Sequence, residues 1–398
     1  MTQTLRILHI LRAPVGGLFR HVRDIALEQI KWGLDVGVLC DANSYSGSAE
    51  QSLAELGSCL PLGLHLTPMG RAPGFADIRA ISETRCLTRE LDIDVLHSHG
   101  AKGGLVARLG GSLPAGRAGL RPLRFYTPHG GSLHYFDGSV KGNVVVSVEA
   151  ALARLTDGLI FESAFGRDRY ASSISLKSVP HRVIENGLAE ADFARRELRE
   201  DAVEFLFIGE LRHLKGVDVL LAALNRLNAA TARAVIVGDG PEVVEFKAMV
   251  HRLGLGARVS FVGALPASIA FTMGKILVMP SRAENLPYVA MEAAAAGVPL
   301  IATQVGGLPE IIQGSDTRLV PADDPEALAC AMALVADDFE AAGKRAERLR
   351  SIVKERFTTT RMVRSTLEFY RDALLRISAE RAPAATKPSE IYCNRENP

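Results

Sequence analysis

Two successive series of short β-type runs, each followed by a helical pattern, constrain this chain more than any other feature. LRILHIL (5–11) reads as a strand and GLFRHVRDIALEQIKWG (17–33) as the amphipathic helix after it. DVGVLC (35–40), DVLHSHG (94–100), LRFYTPHG (123–130) and HRVIENG (181–187) continue the strands. Such alternation demands crossover connections, and so a parallel sheet with helices on both faces. A charge-rich stretch, LAEADFARRELREDA (188–202), interrupts it. The alternation restarts with VEFLFIG (203–209), a helix from Gly216, ARAVIVG (232–238), a helix from Pro241, RVSFVG (258–263), KILVMP (275–280) and VPLIAT (298–303). The simplest organisation is two similar α/β halves joined near residue 195, with a helical pattern over about 340–379 and a loose polar tail from 381 to 398.

Composition agrees and excludes several classes. The 398 residues are 47% hydrophobic and 23% charged, the profile of a globular chain with sizeable cores and not of a disordered, collagenous or coiled-coil one. A net charge of +1 provides no strong field for nucleic acid or membrane. Cys40, Cys59, Cys86, Cys330 and Cys393 form no CxxC pair, as expected of reduced thiols. The apolar run before Arg12 is too short for a signal peptide, and no stretch of about 18 apolar residues is present to span a bilayer. The expected setting is cytoplasmic, with peripheral contact to the inner face of a membrane left open.

The richest segment is PSRAENLPYVAMEAAAAGVPLIAT (280–303). A strand ends at Met279, a loop holds Glu284, Pro287 suits a helix start, and Gly297 stands where a left-handed cap is wanted. Glu284 therefore lies at the carboxyl edge of a sheet, where open α/β folds bind ligands, with Glu292 about two turns further on. Carboxylates accept hydrogen bonds from vicinal hydroxyls, so the pair suits a ligand with two polyols. An acidic first helical turn and a solvated glutamate would give the same pattern. FIGELRHLKGVDVLLAAL (207–224) places Arg212 and Lys215 before a helix start, a site for phosphate, although surface cations are commonly solvated. IVGDGPEV (236–243) adds a Gly-rich turn. In the first half, Gly16 and Gly17 follow the opening strand and permit close backbone approach to a phosphate or sugar. They do not form GxGxxG, and only Asp41 follows as a cofactor-ribose acid, which disfavours a nicotinamide dehydrogenase. His129, in TPHGG, ends a strand, where an imidazole can bond a sugar hydroxyl or shuttle protons, or be structural.

Taken in order, the Gly-Gly loop, TPHG, IENG, GELRHLKG, VGDGP and SRAENLPYVAMEAAAAGVPLIATQVGGLPEI resemble glycosyltransferase family 4 (glycosyl transferases group 1) of the GT-B fold, over about residues 5–375. The resemblance implies two Rossmann-like domains facing a cleft: an acceptor-side domain over 1–195 and a nucleotide-sugar donor domain over 196–359. A final helix near 360–380 would pack back on the first. It implies a retaining hexosyl-type transferase using a UDP- or GDP-sugar, a glycan or lipid-linked acceptor, and no cofactor or essential metal. Residue by residue, Glu284 matches the glutamate on the donor sugar, with Asn285 and Leu286 beside it. Glu292 matches the one on the nucleotide ribose, Lys215 the lysine on the diphosphate, with Arg212 as its partner, and Gly16 and Gly17 the loop at the phosphates. His129 matches the active-site histidine, and Asn186-Gly187 closes the first domain. Catalysis would then rest on charge stabilisation of the leaving diphosphate by Lys215, with His129 and Glu284 at the sugar.

The chain departs from the family twice. Gly209-Glu210-Leu211 stands where Gly-Arg-Leu is common, and Glu284-Asn285-Leu286-Pro287 where Glu-Gly-Phe-Gly is common, so one backbone N–H near the sugar is missing. The competing readings are a GT-B sugar-nucleotide epimerase and a nucleotide-sugar-binding protein without turnover. Two weaker signals remain. Asp92-Ile93-Asp94 spells a DxD used on metals in another fold, and His97 and His99 share a strand face as a metal or hydrogen-bonding pair. The stretch 101–124, with Lys102, Arg108, Arg117, Arg121 and Arg124 and no acid, mixes basic and apolar residues as a membrane-contact surface would.

Overall fold

A computed structural model describes residues 4–44, 48–114, 120–130, 140–227 and 232–381. Its first sheet holds β1 (Arg6–Leu11), β2 (Asp35–Asp41), β3 (Leu64–Thr67), β4 (Val95–His99), β5 (Leu123–Thr127), β6 (Gly158–Phe161) and β7 (His181–Val183). The second holds β8 (Val203–Ile208), β9 (Ala234–Val237), β10 (Val259–Phe261), β11 (Gly274–Met279), β12 (Leu300–Thr303) and β13 (Leu319–Val320). Strand orders are 3-2-1-4-5-6-7 and 10-9-8-11-12-13, parallel throughout. Each order reverses once, between β1 and β4 and between β8 and β11. The loops leaving those strands line a crevice, the place where doubly wound sheets take ligands.

The helices of the first half are α1 (Gly16–Lys31), α2 (Ser48–Cys59), α3 (Phe75–Glu90), α4 (Gly100–Gly110), α5 (Val140–Ala153) and α6 (Ala164–Ala171). Those of the second are α7 (Val217–Arg226), α8 (Val243–Arg252), α9 (Ala267–Ala270), α10 (Tyr288–Ala296), α11 (Leu308–Ile312), α12 (Pro325–Asp337) and α13 (Phe339–Arg356), and α14 (Thr359–Arg381) ends the described chain. The alanines of α10 are buried between sheet and α13. Their small side chains allow that close approach, and Gly297 stops the helix in the left-handed conformation at φ 75°.

The helical pattern after residue 340 is two helices. At the break Leu188 N donates to Phe357 O at 2.9 Å and Thr359 N to Leu188 O at 3.0 Å, so the chain leaving the first half is stitched to the chain re-entering it. Gly187 makes this possible, since a Cβ there would stand 2.5 Å from the Thr358 and Thr359 backbone. Beyond the break, Met362, Val363, Leu367, Phe369 and Tyr370 of α14 pack on Ile7, Ile25, Val95, Phe125 and Ile160 of the first half. At about 1.5–3 kcal/mol for each large apolar side chain buried, this anchors the last helix to the opposite domain from its predecessor.

Candidate active site

On the second domain, a turn of 3₁₀ helix (His213–Lys215) ends at Gly216 in the left-handed region, φ 70°. A Cβ at Gly216 would lie 2.0 Å from Pro280 O, so the glycine lets this loop press against the one after β11. Lys215 Nζ then reaches Glu284 Oε1 at 2.7 Å, and Ser281 Oγ donates to the same oxygen at 2.7 Å. Gly306, φ 59°, backs Glu284: a Cβ there would meet its carbonyl oxygen at 1.8 Å. Arg212 points elsewhere, 3.7 Å from Glu210 and half exposed. The Gly-rich turn is a brace, with Gly238 N bonded to Gly263 O at 2.8 Å and Gly240 against the Leu211 backbone.

On the first domain, His129 stands after β5 with φ 53°, a costly conformation for a non-glycine residue. Its neighbours fix it. Its Nδ1–H donates to Glu162 Oε1 at 2.8 Å, and its Nε2 meets His99 Nδ1 at 3.1 Å. His99 Nε2 meets His9 Nδ1 at 3.0 Å, and His9 Nε2 meets Gln29 Oε1 at 2.8 Å. His97 bonds Thr127 Oγ1 at 2.9 Å and Tyr370 OH at 2.6 Å, tying α14 into the cluster. His21 Nδ1 faces Asn186 Oδ1 at 2.9 Å. Because Asn186 Nδ2 donates to Leu286 O at 3.2 Å, its Oδ1 accepts and His21 carries the proton on Nδ1. Burial pushes His9 and His21 down to about 4 and His97 and His99 well below the usual range, so these four are neutral at pH 7. Burial alone would raise Glu162, but His129, His21 and Asn186 hold it down at about 2.

The two halves meet across this crevice. Arg20 of α1 grips Glu292 of α10, and also Asp192 at 2.7 Å and Asp24 at 3.1 Å. Burial pushes the Glu292 carboxyl up, with Arg20 opposing. Asn285 sends Nδ2 to Glu162 Oε2 at 2.6 Å, and its Oδ1 accepts from Ser163 Oγ at 2.7 Å. Glu310 accepts from Ala164 N and Phe165 N, both at 2.8 Å, at the start of α6. Gly17 packs beside Tyr288, and Gly16 opens α1 at φ 66°. Gly16, Gly17, His129, Lys215, Glu284, Asn285, Leu286 and Glu292 thus lie on the loops and helix starts that meet between the two sheets, whereas Arg212 turns to Glu210.

Several residues of this site escaped the sequence reading. Arg20 and Glu162 carry no motif, and their partners lie 272 and 123 residues away. Glu162 follows the last residue of β6 and precedes Ser163, an acid at a carboxyl edge, which was the available signal. His9 stands in register with His97 on the neighbouring strand.

The weaker signals resolve by position. Asp92 and Asp94 precede β4 and so lie at the amino edge of the sheet, away from the crevice; Asp94 Oδ2 accepts from Arg6 N at 2.9 Å. On the His97–His99 face the ring centroids lie 4.2 Å apart and each ring bonds elsewhere, His97 to Thr127 and Tyr370 and His99 to His129 and His9. Two triplets, His9/His97/His99 and His21/His99/His129, bring ligand nitrogens within 4.8 Å and could hold an ion. Of these nitrogens, His21 Nε2 is without a partner among the described residues. The basic stretch is neutralised from elsewhere. Lys102 pairs with Asp77 at 2.8 Å, buried Arg108 with Glu149 at 2.6 Å, and Arg121 and Arg124 with Asp157 at 2.7 and 3.4 Å. It is therefore not the free cationic surface its sequence suggested, although Arg117 lies outside the described residues. No described helix is long and apolar enough to cross a membrane.

Comparison with known proteins follows this geometry. Residues 16–187 match the glycosyl transferase 4-like domain, and 189–356 match glycosyl transferases group 1. A glycogen synthase of Mycobacterium tuberculosis is 30% identical, covering 89% of this chain and 91% of that protein. A D-inositol 3-phosphate glycosyltransferase of Acidothermus cellulolyticus is also 30% identical, over 94% of this chain and 88% of its own. Among solved structures, sucrose-phosphate synthase from Thermosynechococcus elongatus superposes with a TM-score of 0.76 at 20% identity, covering 93% of this chain and all of that one. Anabaena HepE in complex with UDP gives 0.75 at 18%, over 92% of this chain and 100% of its own. The two parallel-sheet domains, the crevice between them and these likenesses together establish that the chain has the GT-B fold and belongs to the group 1, family 4-like glycosyltransferases.

Proposed function

We propose that the protein is a retaining glycosyltransferase that moves a hexose-type sugar from a UDP- or GDP-sugar to a glycan or lipid-linked acceptor, in polysaccharide or glycoconjugate synthesis. The observation that carries this reading is the Lys215–Glu284 pair in the loops at the carboxyl edge of the second sheet, next to Asn285, which joins His129 through Glu162 of the first domain. A diphosphate beside Lys215 would draw its ammonium from Glu284 and free that carboxylate for sugar hydroxyls. Likewise a ribose would compete with Arg20 for Glu292. As the glycosidic bond breaks, charge grows on the diphosphate, and Lys215 with the amides of the Gly16–Gly17 loop opposes it. The acceptor hydroxyl enters from the face the nucleotide leaves, which retains the anomeric configuration, and its proton passes to a diphosphate oxygen.

Structures of HepE with UDP and with UDP-glucose support a nucleotide-sugar donor, while a relative named for GDP-mannose keeps the second base open. This scheme asks for no metal at the diphosphate, because its charge is met by Lys215 and backbone N–H groups. The test is incubation with candidate nucleotide-sugars and oligosaccharide or lipid-linked acceptors, following nucleoside diphosphate release and the anomeric proton of the product by NMR. Acceptor-dependent release with retained configuration is expected. An inverted product would exclude the mechanism, and sugar-nucleotide conversion without acceptor would favour the epimerase.

A further inference from the structure

Asn285 stands where the family commonly has glycine, and its side chain commits both ends to the opposite domain. Nδ2 donates to Glu162 Oε2 at 2.6 Å, and Oδ1 accepts from Ser163 Oγ at 2.7 Å, which itself accepts from Gly166 N at 2.9 Å. Two glycines make room for it. A Cβ at Gly130 would lie 3.2 Å from Asn285 Cβ, and one at Gly166 would lie 2.7 Å from Asn285 Oδ1. The other oxygen of Glu162 holds His129 Nδ1 at 2.8 Å. One buried carboxylate is thus gripped by a donor from each domain.

A buried carboxylate needs its lone pairs satisfied, and losing one donor leaves it free to turn toward another. We propose that Asn285 is a positioning residue: by closing on Glu162 it couples the seating of the Glu284–Pro287 loop to the orientation of His129. With the crevice closed, Glu162 has Asn285 on Oε2 and His129 on Oε1, with Asn186 of the first domain beside them. With Asn285 withdrawn, Glu162 can rotate and the His129 ring loses its fixed partner. The inference rests on the transferase reading, in which the loop holds the donor sugar and His129 lies beside it.

Two substitutions test this, beside a wild type first shown to transfer sugar. Asn285→Ala should lower kcat roughly 10- to 100-fold, the scale of a misplaced active-site group, with nucleotide Kd within about twofold of wild type. Asn285→Asp sets a second carboxylate on Glu162. The groups facing that pair are His129 and His21 from the first domain, Asn186 after β7, Ser163, and Tyr288 from α10, with Glu284, Lys215 and Glu310 on the loop's own side. Two carboxylates at hydrogen-bond distance share one proton, and the upper ionisation of the pair is raised. Once protonated, the introduced carboxyl would supply the donor that the Asn285 amide supplies. The variant should therefore regain kcat as pH falls, through an ionisation absent from the wild type.

Wild-type kcat in Asn285→Ala, or a pH profile of Asn285→Asp parallel to wild type, would overturn the proposal. If the wild type transfers no sugar, the reading beneath it fails, and the coupling is read directly. In that case the downfield Nδ1–H proton resonance of His129, assigned with ¹⁵N-histidine, should move or broaden in Asn285→Ala. An unchanged resonance would refute the coupling on its own.

Discussion

Acidification from pH 7 to 5 adds protons to an unfolded first domain that the folded domain refuses. Burial holds His9 and His21 down to about 4, against an ordinary 6.5, and His97 and His99 well below it too. The sign follows from proton counting. Between the two values the unfolded chain binds more protons, so stability falls as pH falls, beginning near 6.5 and continuing to about 4. A group shifted from 6.5 to about 4 loses about 2 kcal/mol between pH 7 and 5. His9 and His21 together therefore cost about 4 kcal/mol, and His97 and His99 act in the same direction. Glu292, pushed up by burial, works in the opposite sense for a single group. Glu162, held at about 2, contributes below this window, its stabilisation being lost as pH falls from about 4.5. Set against a typical domain stability of about 5–15 kcal/mol, the loss is large. The chain has one tryptophan, Trp32 at the end of α1, so its fluorescence reports the first domain. Urea titrations at pH 7, 6 and 5 should show the unfolding free energy falling by at least about 4 kcal/mol, and His21→Gln should flatten the slope by about one proton. A change below about 1 kcal/mol from pH 7 to 5 would refute the reasoning.

Glu292→Ala should weaken nucleotide binding roughly tenfold by calorimetry, a lost charged hydrogen bond being the source; equal affinity would remove the ribose assignment. Gly306→Ala places a methyl 1.8 Å from Glu284 O at φ 59°, so the Glu284 loop must shift. Transfer should fall about 100-fold while the circular dichroism spectrum stays native, and wild-type turnover would contradict the bracing role. Arg108→Met strands Glu149, which is buried and also bonded by Tyr170 at 2.8 Å. The expected loss is about 3–5 kcal/mol in urea, partly restored by adding Glu149→Gln, and a loss below about 1 kcal/mol would mean the pair is dispensable.

Much of this architecture was legible in the chain because it is written locally. Strand–helix alternation is a property of neighbours, and Glu284, Lys215 and His129 each stand in the loop after a strand, so parallel topology carries them to carboxyl edges, with Glu292 on the helix that follows Glu284. Gly297 marks a left-handed position for the same local reason, φ 75°. The short strands β3, β6 and β13, of 4, 4 and 2 residues, went unread, although β7 and β10, of 3 residues each, did not. The break at Phe357–Thr358 answers to Leu188, far away in sequence, and its one local mark is Thr358, whose Oγ1 caps the next helix by accepting from Arg361 N at 3.2 Å. Cross-domain partners were hidden most deeply. Lys215 was read as a phosphate ligand, but that it rests on Glu284 depends on two loops meeting. That Glu292 rests on Arg20 and Asn285 on Glu162 are facts of how the halves close. The basic stretch misled for a related reason: Asp77, Glu149 and Asp157, which neutralise it, arrive from outside it.

The decisive measurement is a thermal-shift panel of nucleotides and nucleotide-sugars, with and without EDTA. A ligand held by the folded crevice raises the melting temperature according to its concentration over Kd. One nucleoside diphosphate and its sugar should raise it, equally with chelator present, and Glu292→Ala should reduce that rise. No shift with any of them at millimolar concentration would contradict a donor site between Lys215, Glu284 and Glu292.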